Sequence, residues 1–336
     1  MIFVTGGTGI LGSYLLLQLC ENGNQIRALK RKSSDTNAVL ELFKLYSNNA
    51  ERLFKQIDWI EGSLDNIEFI DSILNDCNEI YHCAAIVSYD ERKRDEIFKT
   101  NIQYTQNLVN VSLTKNIKSF CFVSSIAVLD TANNEGIIDE SSEWNKEISH
   151  SSYAESKYLS EMEVWRASEE GLNVVIVNPG IILGSSHFMQ SSGTIFSTHF
   201  SKNSFYTSGN AGFVDAKDTA FCMIKLMEEK QYGERFILIS ESKSYKEVAD
   251  FLREKFNKKP SKYVPNIILK IGVYVSFILK YFIPKLNELT MANYKSITTL
   301  SKLSNQKIKK RLQFEFITVE DSLNENSTNF LKNNFE

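Results

Sequence analysis

One turn near the start of this 336-residue chain limits what the rest can fold into. Thr5-Gly6-Gly7-Thr8-Gly9-Ile10-Leu11-Gly12 directly follows the apolar run Ile2–Thr5 and opens an amphipathic segment over 11–22. Its glycines fit GxGxxG through Gly7, Gly9 and Gly12, and TGxxGxxG through Gly6, Gly9 and Gly12. Between a strand and a helix, glycines let the bend be tight, the backbone approach a pyrophosphate and the helix pack close to the strand. The first N–H groups of that helix carry the positive end of its dipole. Thr5, Gly6, Gly7, Thr8, Gly9, Ile10, Leu11 and Gly12 are therefore candidates to hold a dinucleotide.

The pattern behind the turn agrees. Buried-looking runs at 25–30, 58–61, 79–82, 119–124 and 173–177 read as strands, with helical periodicity between them, as over 104–114 and 156–169. Such alternation predicts an α/β fold, a Rossmann-like, doubly wound parallel sheet. After Asn178-Pro179-Gly180 the pattern loosens. Residues 184–212 read as a loop-dominated segment, 218–229 as a helix, 235–239 as a strand, and the remainder as mainly helical. The expected division is a dinucleotide-binding domain of 1–180 with about 213–240, and a smaller, mainly helical substrate-binding domain of about 181–212 and 241–336.

The end of the second strand should select the cofactor. An acidic residue there would bind the ribose 2′-OH of NAD. Here Ile26-Arg27-Ala28-Leu29-Lys30-Arg31-Lys32-Ser33-Ser34 reaches Asp35 before meeting a carboxylate. Arg31 and Lys32 suit a 2′-phosphate, so NADP(H) is expected in preference to NAD(H).

Tyr-x-x-x-Lys occurs three times, as Tyr89/Lys93, Tyr153/Lys157 and Tyr281/Lys285. Pro284 interrupts the last pair, and the first lies in a charged stretch that reads as surface. Only Tyr153/Lys157 opens a convincing helix, with Ser151 and Ser152 as capping candidates. A lysine one turn away is expected to lower the phenol pKa, so that Tyr153 exchanges a proton with a carbonyl oxygen. Ser125, at the end of the 119–124 strand, can hydrogen-bond the same oxygen.

With these residues in place the chain resembles the extended short-chain dehydrogenase/reductase family, within the NAD-dependent epimerase/dehydratase superfamily. The resemblance runs from residue 2 to about 325. It is carried by the glycine turn, His82-Cys83-Ala84-Ala85, Asn101, Ser124-Ser125-Ile126-Ala127-Val128, Tyr153/Lys157, Asn178-Pro179-Gly180-Ile181-Ile182-Leu183-Gly184, Phe213-Val214-Asp215-Ala216-Lys217-Asp218 and Gly233-Glu234-Arg235-Phe236. It implies Ser125, Tyr153 and Lys157 as catalytic residues, with Tyr153 and Lys157 also touching cofactor. It further implies cofactor contacts at Ala84, Ala85, Pro179, Gly180 and Ile182, and a homodimer built on the helices at 101–114 and 153–169. Where the family often has Gly-Asp-Leu, this chain has Gly62-Ser63-Leu64, which transfers the adenine contact to Ser63 or Leu64. Where sugar-nucleotide members carry Arg-Asp before Phe-Val, it has Ala211-Gly212. These departures look more like the dihydroflavonol reductase and 3β-hydroxysteroid dehydrogenase branch. The function implied is reduction of a ketone or aldehyde on an apolar small molecule, with a nucleotide-sugar epimerase or dehydratase as the alternative.

Composition removes other classes. A formal charge of −3 argues against chain-wide affinity for nucleic acid. Cys20, Cys77, Cys83, Cys121 and Cys222 make no CxxC, and His82, His150, His187 and His199 show no ligand spacing, so neither a disulfide framework nor a metal site is expected. The opening residues lack a signal-peptide pattern, making the cytoplasm the expected location. Two stretches remain. Phe188, Phe196, Phe200, Phe205 and Tyr206 would suit an apolar substrate in a lid, although packing into a core is the favoured reading. The apolar stretch 267–283 is too short and too lysine-interrupted to span a bilayer and is expected to be a buried or cap-forming helix, with contact at a membrane surface as the minority alternative.

Overall fold

Alternation along the central strands sends each second residue to one side. In the computed structural model, which describes all residues except 116, 187, 189, 190, 280–282 and 336, these strands form a sheet of seven. They are β1 (Ile2–Thr5), β2 (Ile26–Lys30), β3 (Ile57–Glu61), β4 (Glu79–His82), β5 (Ser119–Val123), β6 (Val174–Pro179) and β7 (Glu234–Leu238). Their order is β3-β2-β1-β4-β5-β6-β7, with every pair parallel. The direction of travel reverses between β1 and β4, and a ligand crevice opens at such a switch point, beyond the carboxyl ends of the strands.

Both faces are buried, as a parallel sheet requires. Val4, Cys121, Val123, Val175 and Val177 point into one core, beneath α1 (Ile10–Glu21) and the later helix Ala216–Glu228. Phe3, Phe120, Phe122, Val174 and Ile176 point into the other, beneath α2 (Tyr104–Thr114) and α3 (Ser152–Glu169). Helix α3 begins at Ser152, four residues earlier than the periodicity alone suggested, because Ser151 caps it by accepting the Ala154 N–H at 3.2 Å. Tyr153 and Lys157 thereby share one continuous helix.

The segment after β6 is more ordered than expected of a loop. It contributes Ile181–Leu183 and Asn210–Asp215 to a three-stranded sheet with Glu241–Ser244, and a helix at Thr194–Phe200. Phe188, Phe196 and Phe200 pack with Phe256 and Phe330 in a separate apolar cluster, so they are core and not pocket wall. Phe205 and Tyr206 form a short parallel ladder with Lys262 and Tyr263 and lie outside that cluster. The run 307–311 lies on the helix Gln306–Leu312, where Lys307 and Arg311 pair with Glu234 and Lys309 with Glu315.

Of the two readings of the apolar stretch, a buried or a cap-forming helix, burial is the one the structure does not bear out. Helix α4 (Asn266–Leu279) lies at the surface and presents Ile267, Ile268, Ile271, Tyr274 and Val275 to solvent. Only its other side is covered, by α5 (Met291–Thr298) and the turn Pro284–Glu288. Among the described residues no helix is long and apolar enough to cross a membrane.

Candidate active site

Every residue singled out for cofactor or catalysis lies within or just beyond the carboxyl ends of β1 to β6, or on a helix that starts there. The glycine turn joins β1 to α1. Gly9 N–H closes it on the Gly6 carbonyl at 2.9 Å. No side chain caps α1 and no carboxylate stands in its first turn, leaving the amide groups at its start for an anion. The glycines divide the work. A Cβ on Gly12 would meet the Gly6 oxygen at 2.1 Å, and Gly6, at φ +72°, lies where a Cβ would strike the Ala84 nitrogen at 2.6 Å. Gly9 is exposed, and its Cβ would meet only the Gly6 oxygen, at 3.3 Å, so open space lies over it where a pyrophosphate would approach. These residues fit a dinucleotide.

Thr5 turns its side chain inward. Its Oγ1 accepts the Ala84 N–H at 3.2 Å and bonds His82 Nδ1 at 2.6 Å. His82 Nε2 lies 2.9 Å from Thr105 Oγ1, which donates to the Asn101 carbonyl at 2.6 Å. That chain assigns the proton to Nε2. Burial first, then the Lys157 charge, pushes the His82 pKa down to about 3, so the ring stays neutral and structural. Arg31 and Lys32 are exposed just past β2, whereas Lys30 is engaged by Glu61 at 3.2 Å. Ser63 Oγ donates to the Tyr104 hydroxyl at 3.3 Å, and the Leu64 carbonyl accepts from Asn107 Nδ2 at 2.8 Å.

Ser125, two residues past β5, accepts the Ala127 N–H on its Oγ at 3.2 Å and sits close enough to the Tyr153 hydroxyl to lower its pKa. The expectation that Lys157 lowers the phenol pKa is overturned. Burial, followed by the neighbouring Tyr89, pushes it above the ordinary value, and Ser125 offsets this only in part. Lys157 is engaged elsewhere: its Nζ donates to the Val123 carbonyl at 2.6 Å and lies 4.9 Å from the centre of the Phe122 ring. Burial pushes the Lys157 pKa down to about 8. At neutral pH the site therefore presents a protonated phenol beside a serine hydroxyl, a pair able to bind and protonate a carbonyl oxygen.

Sequence reasoning missed what holds this pair. Glu161, one turn beyond Lys157 and 1% exposed, accepts from Ser124 Oγ at 2.5 Å, Asn178 Nδ2 at 3.0 Å, Trp165 Nε1 at 3.2 Å and Arg235 Nη1 at 3.2 Å. It ties β5, β6 and β7 to α3 from beneath. The start of α3 is pinned as well: Ser152 Oγ donates to Glu91 at 2.5 Å and accepts from Arg94 at 3.2 Å. Tyr89, read as surface, is indeed half-exposed, but its ring stands edge-on to Tyr153 with centres 6.2 Å apart. Charge and periodicity around Tyr89 carry no sign of this, because the contact joins separate segments. Tyr281 of the third Tyr/Lys pair lies outside the described residues, as does His187. Among the described residues no cluster could hold a metal. Asp215 caps the Ala216–Glu228 helix at Lys217 N–H, 2.8 Å away, and Asp218 accepts the Ile317 N–H at 2.6 Å, both structural tasks.

Comparison with known proteins identifies the family and the fold. Residues 2–238 match the model of the NAD dependent epimerase/dehydratase family. The chain is 26% identical to anthocyanidin reductase of Arabidopsis thaliana, over 76% of this chain and 80% of that protein. It is 24% identical to dihydroflavonol 4-reductase of Gerbera hybrida, over 79% and 74%. With a relative from Synechocystis sp., 31% identical, the match spans 54% of this chain and about half, 49%, of that protein. Among solved structures, gox2253 superposes with a TM-score of 0.82 at 24% identity, covering 99% of this chain and 98% of that one. UDP-glucose 4-epimerase of Thermotoga maritima superposes with a TM-score of 0.75 at 20% identity, covering 99% of both. At such identities the structural likeness speaks to the fold.

Proposed function

The chain belongs to the NAD dependent epimerase/dehydratase family, and from that premise we propose that it reduces a ketone or aldehyde group of an apolar small molecule, using NADPH. The observation that carries this reading is the Ser125–Tyr153 hydroxyl pair beside an uncapped, glycine-bounded helix start. When bound, the nicotinamide supplies the hydride. The chain's own residues do the rest. The glycine turn and the first amides of α1 would hold the pyrophosphate, and Arg31 and Lys32 would hold the 2′-phosphate. Pro179, Gly180 and Ile182, with Ala84 and Ala85, would border the rings. Lys157 would hold the nicotinamide ribose, and Tyr153 would give its proton to the carbonyl oxygen while Ser125 steadies that oxygen. The phenol is protonated at neutral pH, as an acid in the reducing direction must be.

A reductase is favoured over a sugar-nucleotide epimerase by residues 211–212. The arginine of the sugar-nucleotide members falls at Ala211, which offers no guanidinium to a nucleotide diphosphate, and their aspartate falls at Gly212, where a Cβ would already meet Ile239 Cγ2 at 2.6 Å and Leu303 Cδ1 at 2.8 Å. Residues 181–212 and 241–336 would shape the substrate side of the crevice.

The test is a titration of purified protein with NADPH and NADH, followed by a panel of apolar ketones and aldehydes watched by NADPH absorbance. Tighter NADPH binding, turnover on the panel, and loss of turnover with retained binding in Tyr153→Phe are the expected results. Arg31→Glu should weaken NADPH at least about tenfold, the loss of one charge-assisted phosphate contact, while sparing NADH. Cofactor that stays bound without net consumption, together with conversion of a UDP-sugar, would refute the assignment.

A further inference from the structure

Helix α4 has an apolar face that the rest of the fold leaves uncovered. Ile267, Ile268, Ile271, Tyr274 and Val275 are between 44% and 63% exposed. At helical spacing they fall within an arc of roughly 120°. The opposite side is the packed one: Gly272 faces Leu289, and Ser276 Oγ donates to the Leu289 carbonyl at 2.8 Å. Two exposed aromatics, Phe205 at 55% and Tyr263 at 46%, stand on the short ladder leading into α4, and Ser208 Oγ ties that region to Asn266 Oδ1 at 2.9 Å. A contiguous apolar face of this kind marks an interaction surface.

Charge identifies the occupant. From Lys255 to Asn287 the sequence carries seven lysines (Lys255, Lys258, Lys259, Lys262, Lys270, Lys280 and Lys285) and no Asp or Glu. The chain's net charge is −3, so this segment is +7 and the remainder is −10. One apolar strip with aromatic residues, with Lys262 and Lys270 beside it in sequence and Glu288 on the turn packed against the covered side, matches the surface of an anionic bilayer, where apolar side chains enter the headgroup boundary and lysines meet lipid phosphates and carboxylates. A second copy docked face to face would bring two lysine-rich segments together with no acidic partner in either.

We propose that this protein docks peripherally on anionic membranes through α4 and the adjoining Phe205/Tyr263 ladder. Length and lysine interruption argue against a span through the bilayer, but they do not bear on a helix that lies at its surface, as this exposed one can. The docking face is close to the chemistry. Helix α4 packs on α5, whose Asn293 Nδ2 donates to the Tyr89 carbonyl at 3.1 Å, and the Tyr89 ring abuts Tyr153. An apolar substrate would then reach the site from the bilayer side, a consequence that rests on the reductase reading, whereas docking itself does not.

The test is cosedimentation of the full chain with vesicles of phosphatidylcholine alone and of phosphatidylcholine with about a third phosphatidylserine, at low and high salt. Binding to the anionic vesicles should exceed binding to the neutral ones by about tenfold or more and fall as salt screens the lysines. The double variant Ile271→Glu/Tyr274→Glu should lose at least about tenfold of that binding, because two charges replace the inserted face. Its melting temperature and NADPH affinity should stay unchanged, showing that it is folded. Wild-type protein that ignores anionic vesicles would overturn the proposal. So would binding that the double variant retains, or a wild-type dimer in light scattering that the variant splits, which would assign the face to a second copy. None of these readouts depends on turnover, so failure of docking and failure of the reductase reading are distinguishable.

Discussion

Replacing Lys157 by Met should stabilise the fold at neutral pH while removing activity. The Lys157 ammonium is held in a buried setting that lowers its pKa from 10.5 to about 8. Because the folded pKa lies below the unfolded one, the cost of burying the charge is fully present below about pH 8 and fades as pH rises towards 10.5. Each tenfold loss of proton affinity on folding is worth about 1.4 kcal/mol, so the cost amounts to roughly 3 kcal/mol at pH 7 and roughly 1.5 kcal/mol at pH 9.5. Against it stands the bond from Nζ to the Val123 carbonyl at 2.6 Å, whose loss leaves an unpaired acceptor worth about 1–2 kcal/mol. Met keeps the length and apolar stem of Lys, so packing changes little. Lys157→Met should therefore gain about 1–2 kcal/mol near pH 7 and about nothing near pH 9.5, with NADPH turnover lost at both. Urea unfolding followed by tryptophan fluorescence at the two pH values measures this directly. A variant less stable than wild type at pH 7, or a difference that does not move with pH, would refute the idea that Lys157 is held there at a cost to stability for the sake of the site.

Two further outcomes follow from contacts around the cradle and beneath it. Gly9→Ala should melt within about 2 °C of wild type yet bind NADPH at least about tenfold more weakly, whereas Gly12→Ala, whose Cβ would lie 2.1 Å from the Gly6 oxygen, should lower both stability and binding; differential scanning fluorimetry with and without NADPH separates the two. Glu161→Ala strands the Arg235 charge and three neutral donors, so it should cost about 3–5 kcal/mol in urea unfolding, and Glu161→Gln, which keeps an acceptor, should cost less.

Much of the fold and the centre of the site were legible along the chain. Period-two burial in Phe120-Cys121-Phe122-Val123 and in Val174-Val175-Ile176-Val177 requires strands covered on both faces. The glycine turn depends on residues within eight positions of one another, and a capped helix start selects Tyr153 and Lys157 from three similar pairs. These are local rules, and neighbours in sequence suffice to state them.

What tertiary structure decided concerns residues whose surroundings come from elsewhere in the chain. The direction of the Lys157 ammonium was set by the end of β5, and the rise of the Tyr153 pKa by burial and by Tyr89, 64 positions earlier. Phe188, Phe196 and Phe200 became core because Phe256 and Phe330 arrive beside them, which loose spacing in one segment cannot announce. The apolar run 267–283 read as a buried or cap-forming helix, and on the described helix α4 the fold covers the Gly272/Ser276 side while Ile267, Ile268, Ile271, Tyr274 and Val275 stay exposed. An apolar pattern states that a face seeks cover. Whether this chain supplies the cover, or a membrane must, depends on how many elements reach that face, and that is a property of the assembled fold.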